Sequence, residues 1–209
     1  MVQIVLIRPG STDFDLQGRI QGILDIPLCD EGRAQAKEVV KHLRDIPLAA
    51  IYSGPCEAST ETAEIIGTTL KIKTKEIENL RNLDCGLWQG MLIDDVKHKQ
   101  PKVYRQWQEQ PENVCPPSGE MLATAAERVE TVLEKLIKKH RGGAFGMVVP
   151  EPLASVVVNL LQGGELGDLW KAANGCNCCQ VFTINPSTWR SDLGVAMATT
   201  KSAEPQVPS

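Results

Sequence analysis

The stretch Val2-Gln3-Ile4-Val5-Leu6-Ile7-Arg8-Pro9-Gly10-Ser11-Thr12 decides the fold. Val2 to Ile7 is an apolar, mostly β-branched run, the pattern of a strand covered on both faces, and Pro9-Gly10 ends it at once. The same punctuation returns at Ile51-Tyr52-Ser53-Gly54-Pro55 and where the run 145–149 meets Pro150. Between these runs lie helical patterns. Ala36, Val39, Val40 and Leu43 share one face, a helix is expected over 56–70, and residue 72 opens a third strand that reaches 77. Met121, Leu122, Ala125, Val129, Val132, Leu133, Leu136 and Ile137 form the longest apolar stripe, with Ser118 expected as its N-cap and Lys138-Lys139-His140-Arg141-Gly142 as its stop. Two further strands are expected near 179–184 and 189–196.

Strands alternating with helices predict a three-layer α/β/α sandwich around a mostly parallel sheet. Ligands of such sheets bind at the carboxyl ends of the strands. The loops Arg8-Pro9-Gly10, Ser53-Gly54-Pro55 and Val149-Pro150-Glu151 are therefore the ones to watch. We expect one domain over 1–198, a lid or insertion over about 78–118, and a disordered polar tail at 199–209.

Composition narrows the classes. With 209 residues, 42% hydrophobic and 23% charged, the chain can bury an ordinary core. A net charge of −4 argues against a nucleic-acid partner. No apolar run approaches the roughly 20 residues of a membrane helix, and the first residues lack a basic leader and cleavage site. Seven cysteines, an odd number without a secretion signal, suit a cytoplasmic protein with reduced thiols.

Gly18-Arg19-Ile20-Gln21-Gly22 is followed by Asp25-Ile26-Pro27-Leu28-Cys29-Asp30-Glu31-Gly32-Arg33-Ala34-Gln35-Ala36. Further on come Thr62-Ala63-Glu64-Ile65-Ile66, then Leu80-Arg81-Asn82-Leu83-Asp84-Cys85-Gly86-Leu87-Trp88-Gln89-Gly90, then Pro117-Ser118-Gly119-Glu120. In this order, together with the three strand-end loops, the motifs resemble the phosphoglycerate mutase-like histidine phosphatase superfamily over most of the chain. The resemblance implies that fold, and an activity in which a histidine directly after the first-motif arginine carries the phosphoryl group. A second arginine, a glutamate acid and a second histidine complete the implied set.

This chain departs from that set. The nucleophile position holds Pro9, the second-arginine position Ala58, the acid position Asn82 and the second-histidine position Glu151, leaving Arg8 alone. Proline has neither a side-chain lone pair nor a backbone N–H. His42, His98 and His140 each sit in a charged run, expected on solvated helix ends. A changed charge at ~4 Å in a partly dry cleft is worth a few kcal/mol, so the swap to Ala58 and Glu151 works against phosphate.

The chain also holds groups suited to other chemistry. Cys29, Cys56 and Cys85 lie in or beside the motifs, and a helix N-terminus at Cys56 would lower its pKa. None has the arginine six residues on that a cysteine phosphatase needs. Cys176-Asn177-Cys178-Cys179 holds one C-x-x-C, weak by itself. Asp13, Asp15, Asp84 and Glu151 would have to converge to hold a hard cation. Trp88, Trp107, Trp170 and Trp189 are spread along the chain and read as core or rim packing. No cofactor and no metal are expected.

The reading is thus a catalytically degenerate member of the family, retained for binding a small molecule or a protein, with Arg8, Gly10, Ser11, Arg19 and Glu151 lining the pocket. Its alternative is a repurposed phosphatase or hydrolase acting on a small phosphorylated metabolite without a histidine. A third reading is assembly, as a homodimer.

Overall fold

A computed structural model describes residues 1–172 and 179–189. Its sheet has the strand order β3-β2-β4-β1-β5. The strands are β1 (Val2–Ile7), β2 (Leu48–Ser53), β3 (Thr74–Glu76), β4 (Ala144–Val148) and β5 (Cys179–Ile184). β1, β2, β3 and β4 are parallel, and β5 closes the edge antiparallel to β1.

Two layers cover the sheet, and strand alternation assigns residues to each. Ile4 and Leu6 of β1 face a larger core with Phe145, Met147 and the apolar stripe of α6 (Leu122–Lys139). Val5 and Ile7 face a smaller core with Val39, Val40 and Leu43 of α2 (Asp30–Leu43) and Ala63 and Ile66 of α3 (Glu57–Leu70). Every apolar residue of β1 is fully buried, as its unbroken run requires. The remaining helices are α1 (Asp13–Leu16), α4 (Ile93–Lys99), α5 (Pro101–Glu109), α7 (Leu153–Gln162) and α8 (Leu169–Ala172).

Register brings the ends of the central strands together. Val148 pairs with both Ile7 and Ser53, so the loops after β1, β2 and β4 leave the same edge of the sheet. Among the described residues, no helix is long and apolar enough to cross a membrane.

Several local expectations are corrected. Ser118 does not cap α6: its φ is 60°, and the helix starts after Met121. The third strand shortens to Thr74–Glu76, because Lys71 ends α3 in the left-handed conformation and Ile72 still donates back to Gly67. The start of the region 78–118 carries two short 3-10 turns, Glu78–Leu80 and Gly86–Trp88. Trp189 does not open a strand; its N–H returns to the Asn185 carbonyl in a helical turn. The rest of that expected strand, the tail at 199–209 and most of the C-x-x-C lie outside the described residues.

Candidate functional site

A cleft of about 350 Å³ opens where the strand-end loops meet. Arg8, Pro9, Gly10, Ser11, Arg19, Ala58 and Glu151 all border it, and Asn82 lies buried behind them.

The loop after β1 is held by its own neighbours. Gly10 N–H donates to Thr62 Oγ1 (3.1 Å) and Ser11 N–H to Gln35 Oε1 (2.9 Å). Thr12 N–H donates to Asp15 Oδ2 (2.7 Å), part of the capping box of α1. Pro9 has no N–H. The four backbone positions 9–12 therefore offer the cleft no free donor, and Ser11 Oγ is also directed at Gln35 (3.0 Å). A glycine pair makes this packing feasible. A β-carbon on Gly10 would overlap the Gly32 carbonyl, and one on Gly32 would overlap the Ser11 carbonyl.

Arg8 reaches across to the loop after β4. Its Nε donates to Glu151 Oε1 at 2.6 Å, and Nη1 to Gln180 Oε1 at 3.3 Å. The other carboxylate oxygen, Oε2, accepts from Ser155 N–H (3.1 Å) and Ser155 Oγ (2.7 Å) in the first turn of α7. Asn82 holds the same loop from behind, its Nδ2 donating to the carbonyls of Glu151 (2.9 Å) and Gly22 (3.1 Å). Arg19 donates through Nη1 to the Gly90 carbonyl (2.6 Å) and through Nε to Gln17 (2.8 Å). The charged groups among the described lining residues are Arg8, Arg19, Asp15 and Glu151, so they balance.

The far wall is aromatic. Trp88, Trp107 and Trp170, far apart in sequence, border the cleft and meet with ring centroids 5.6–6.0 Å apart. Tyr104 stacks on Trp170 at 5.4 Å. Trp189 stays apart from this cluster, with its Nε1 donating to the Leu160 carbonyl.

The thiols next to the cleft are not activated. Cys56 does take the N-cap position of α3, but its pKa is raised, not lowered: burial outweighs the Ser59 hydrogen bond. Cys85 borders the cleft and is pushed up to about 12 by burial and by the charges of Asp84 and Glu120. Cys29 Sγ instead caps α2, accepting from Gly32 N–H.

The acids that would have to converge to hold a hard cation are engaged elsewhere. Asp15 is spent in the capping box, Asp84 accepts from Gly86 N–H (2.8 Å), and Glu151 pairs with Arg8. Among the described residues, no group of three or more His, Cys, Asp or Glu gathers as a metal site. None of the three histidines borders the cleft. His42 and His98 are exposed, but His140 is half-buried, bonding Tyr52 Oη (2.9 Å) beside Phe145, with its pKa lowered by burial and by Lys139 and Lys75.

Sequence reasoning missed the partners that fix the loops: Gln35, Thr62, Ser155 and Arg128. Gln35 and Thr62 stand inside motifs quoted above, which is the signal available for them. Arg128 donates to both oxygens of Glu120 and to the carbonyls of Asn79, Arg81 and Asn82, pinning the turn that carries Asn82.

Comparison with known proteins gives a coherent picture. The family model described as histidine phosphatase superfamily (branch 1) matches residues 4–194. Phosphoserine phosphatase 1 of Hydrogenobacter thermophilus is 31% identical over 88% of this chain and 87% of its own length. Phosphoglycerate mutase-like protein 4 of Arabidopsis thaliana is 31% identical over 67% of this chain and 62% of its own length. Among solved structures, Bacillus stearothermophilus YhfR superposes with a TM-score of 0.74 at 26% identity, covering 81% of this chain and 84% of that one.

Proposed function

The chain belongs to the histidine phosphatase superfamily, branch 1, and from that membership we propose that it binds a ligand in the strand-end cleft without turning over phosphomonoesters through a phosphohistidine. One observation carries the reading: the residue after Arg8, at the tip of β1, is Pro9, and no histidine borders the cleft. Phosphoryl transfer by this route needs an imidazole lone pair at the phosphorus. It also needs an acid for the leaving group and cations on the phosphoryl oxygens. At the positions the family resemblance assigns to these roles stand Asn82, whose amide donates to two carbonyls, and Ala58, which carries no charge. The free thiols of Cys29, Cys56, Cys85 and Cys115 support a reducing, cytoplasmic setting for the protein.

Kinship supports a second reading better than it supports this one. The relatives quoted above carry the names phosphatase and phosphoglycerate mutase-like, and the phosphoserine phosphatase aligns over 87% of its length. On this reading the chain is a phosphatase or hydrolase acting on a small phosphorylated metabolite by a non-histidine route. The raised pKa values of Cys56 and Cys85 weigh against a thiolate nucleophile for it.

The deciding experiment is turnover of an aryl phosphate and a panel of phosphometabolites, with and without Mg²⁺, beside an identically purified Arg8→Ala variant. Turnover no higher than that of the variant is expected. Turnover that requires Arg8 would establish the second reading instead.

A further inference from the structure

We propose that the Glu151 carboxylate is a built-in anion filling the oxyanion site of the cleft, so that the cleft takes a ligand without a phosphate group. This deepens the binding reading above and rests on it.

The surroundings of Glu151 are those of a bound anion. One oxygen accepts from the Arg8 guanidinium at 2.6 Å, and the other from a backbone N–H and a hydroxyl of Ser155. Guanidinium, backbone amide and hydroxyl are the donor types that hold a phosphate or carboxylate ligand. The Ser155 N–H belongs to the first turn of α7, a ten-residue helix whose dipole favours negative charge there. The carboxylate is well buried, with 7% of the side chain exposed against 18% for Arg8. Its backbone is fixed independently by Asn82, so it is delivered to these donors by the fold rather than by a mobile arm.

Three consequences follow for a ligand. The donors that would grip a phosphate at this point are engaged by a charge that cannot leave the chain. The backbone amides of the neighbouring loop are engaged too, by Thr62, Gln35 and Asp15. The charges of the described lining residues cancel, so an incoming dianion gains no net attraction and meets two carboxylates. What remains beside the tryptophan wall suits an uncharged or zwitterionic small molecule with hydroxyl or amide groups, sized to about 350 Å³.

The test uses inorganic phosphate as the probe, with isothermal titration and thermal shift at matched ionic strength. The native chain is compared with Glu151→Gln and with Arg8→Ala/Glu151→Gln, each first shown to be folded by its circular dichroism melt. Glu151→Ser serves should the glutamine not be accommodated. The expected result is at least a tenfold gain in phosphate affinity when the carboxylate is removed, and loss of that gain when Arg8 is removed as well. Equal affinity of the native and carboxylate-free chains would overturn the proposal, as would a gain that survives loss of Arg8. The result is separable from the turnover assay: hydrolysis by the native chain defeats the binding reading, whereas phosphate affinity indifferent to Glu151 defeats this inference alone.

Discussion

Arg128 grips Glu120 through two parallel hydrogen bonds, Nε to Oε1 and Nη2 to Oε2, both 2.9 Å, with each side chain only 9% exposed. The same guanidinium donates to the carbonyls of Asn79, Arg81 and Asn82. One side chain of α6 thus closes the backbone accounts of the turn that supports the cleft from behind. Arg128→Ala would leave a buried carboxylate and three carbonyls without these donors. Breaking such a pair costs about 3 kcal/mol or more, a fall in Tm of roughly 6–12 °C for a chain of this size. Thermal and urea unfolding check it, and a fall under about 2 °C would show the brace to be redundant.

The same pair sets a pH dependence. Burial alone would raise the pKa of Glu120, but the hydrogen bond and charge of Arg128, joined by the Asp84 hydrogen bond and the Arg81 charge, outweigh it and hold the carboxyl below its ordinary value of 4.5. A folded-state pKa lying below the unfolded one contributes stability that is complete above the unfolded value and is lost as pH falls toward the folded one. Glu120→Gln should therefore be less stable than the native chain at neutral pH, with the gap narrowing as pH falls below about 4.5. Urea midpoints measured at several pH values test this, and a gap constant with pH would refute it.

Gly32 is predicted to tolerate no side chain. Its β-carbon would overlap the Ser11 carbonyl, so Gly32→Ala must push the loop after β1 away from α2. Overpacking of this kind costs about 1–3 kcal/mol. Gly143→Ala is the control, since its nearest contact would be an ordinary 3.7 Å from the His140 carbonyl. There, lower entropy of the unfolded chain should leave stability unchanged or raise it by up to about 1 kcal/mol. Equal effects at the two sites would show that the loop yields without cost.

How far the sequence reached is clearest in β1 and α6. The run Val2 to Ile7 announced a strand covered on both faces because an apolar strand has few other places to go, and the stripe of α6 matches its buried face from Leu122 to Ile137. Ser118 misled because capping preference is local, whereas Gly119, packed against the Asp84 carbonyl, and the left-handed Ser118 answer to a distant loop. The structure places at the border of the cleft Arg8, Gly10 and Glu151, which stand in the strand-end loops, and Ser11 and Arg19, which stand in the motifs beside them. The pairing of Arg8 with Glu151, 143 positions apart, could not be read, because no periodicity spans that separation. The convergence of Trp88, Trp107 and Trp170 was hidden for the same reason.

Thiol reactivity separates the cysteines. Cys115 is exposed, whereas Cys56 and Cys85 are buried, and the pKa of Cys85 is pushed up to about 12. Alkylation of the native protein at neutral pH, read by peptide mass, should label Cys115 promptly and leave Cys56 and Cys85 unmodified until denaturant is added. Fast native labelling of Cys85 would reveal an activated thiol at the cleft and revive a cysteine route to hydrolysis.

Restoring the implied family residues tests how much of the catalytic scaffold survives, and the structure ranks the substitutions. Pro9→His alone should remain at background, because the Glu151 carboxylate still engages Arg8 at 2.6 Å. Adding Glu151→His removes that charge, and Ala58→Arg places a second cation at a position that already borders the cleft. Asn82→Glu should be left out at first: it would aim a carboxylate at the Gly22 and Glu151 carbonyls that now accept from Asn82 Nδ2, a loss of two bonds and a repulsion together. The triple variant Pro9→His/Ala58→Arg/Glu151→His is expected to hydrolyse an aryl phosphate about a hundredfold or more above the Pro9→His single variant, the scale on which preorganised electrostatic stabilisation acts. Stoichiometric labelling by the phosphate group, stable to base and labile to acid, would place the intermediate on the introduced imidazole. A folded triple variant that binds phosphate yet shows no turnover would mean that the loop held by Thr62, Gln35 and Asp15 no longer delivers position 9 to the phosphorus. The departure from the family would then lie in the backbone as well as in the substituted side chains.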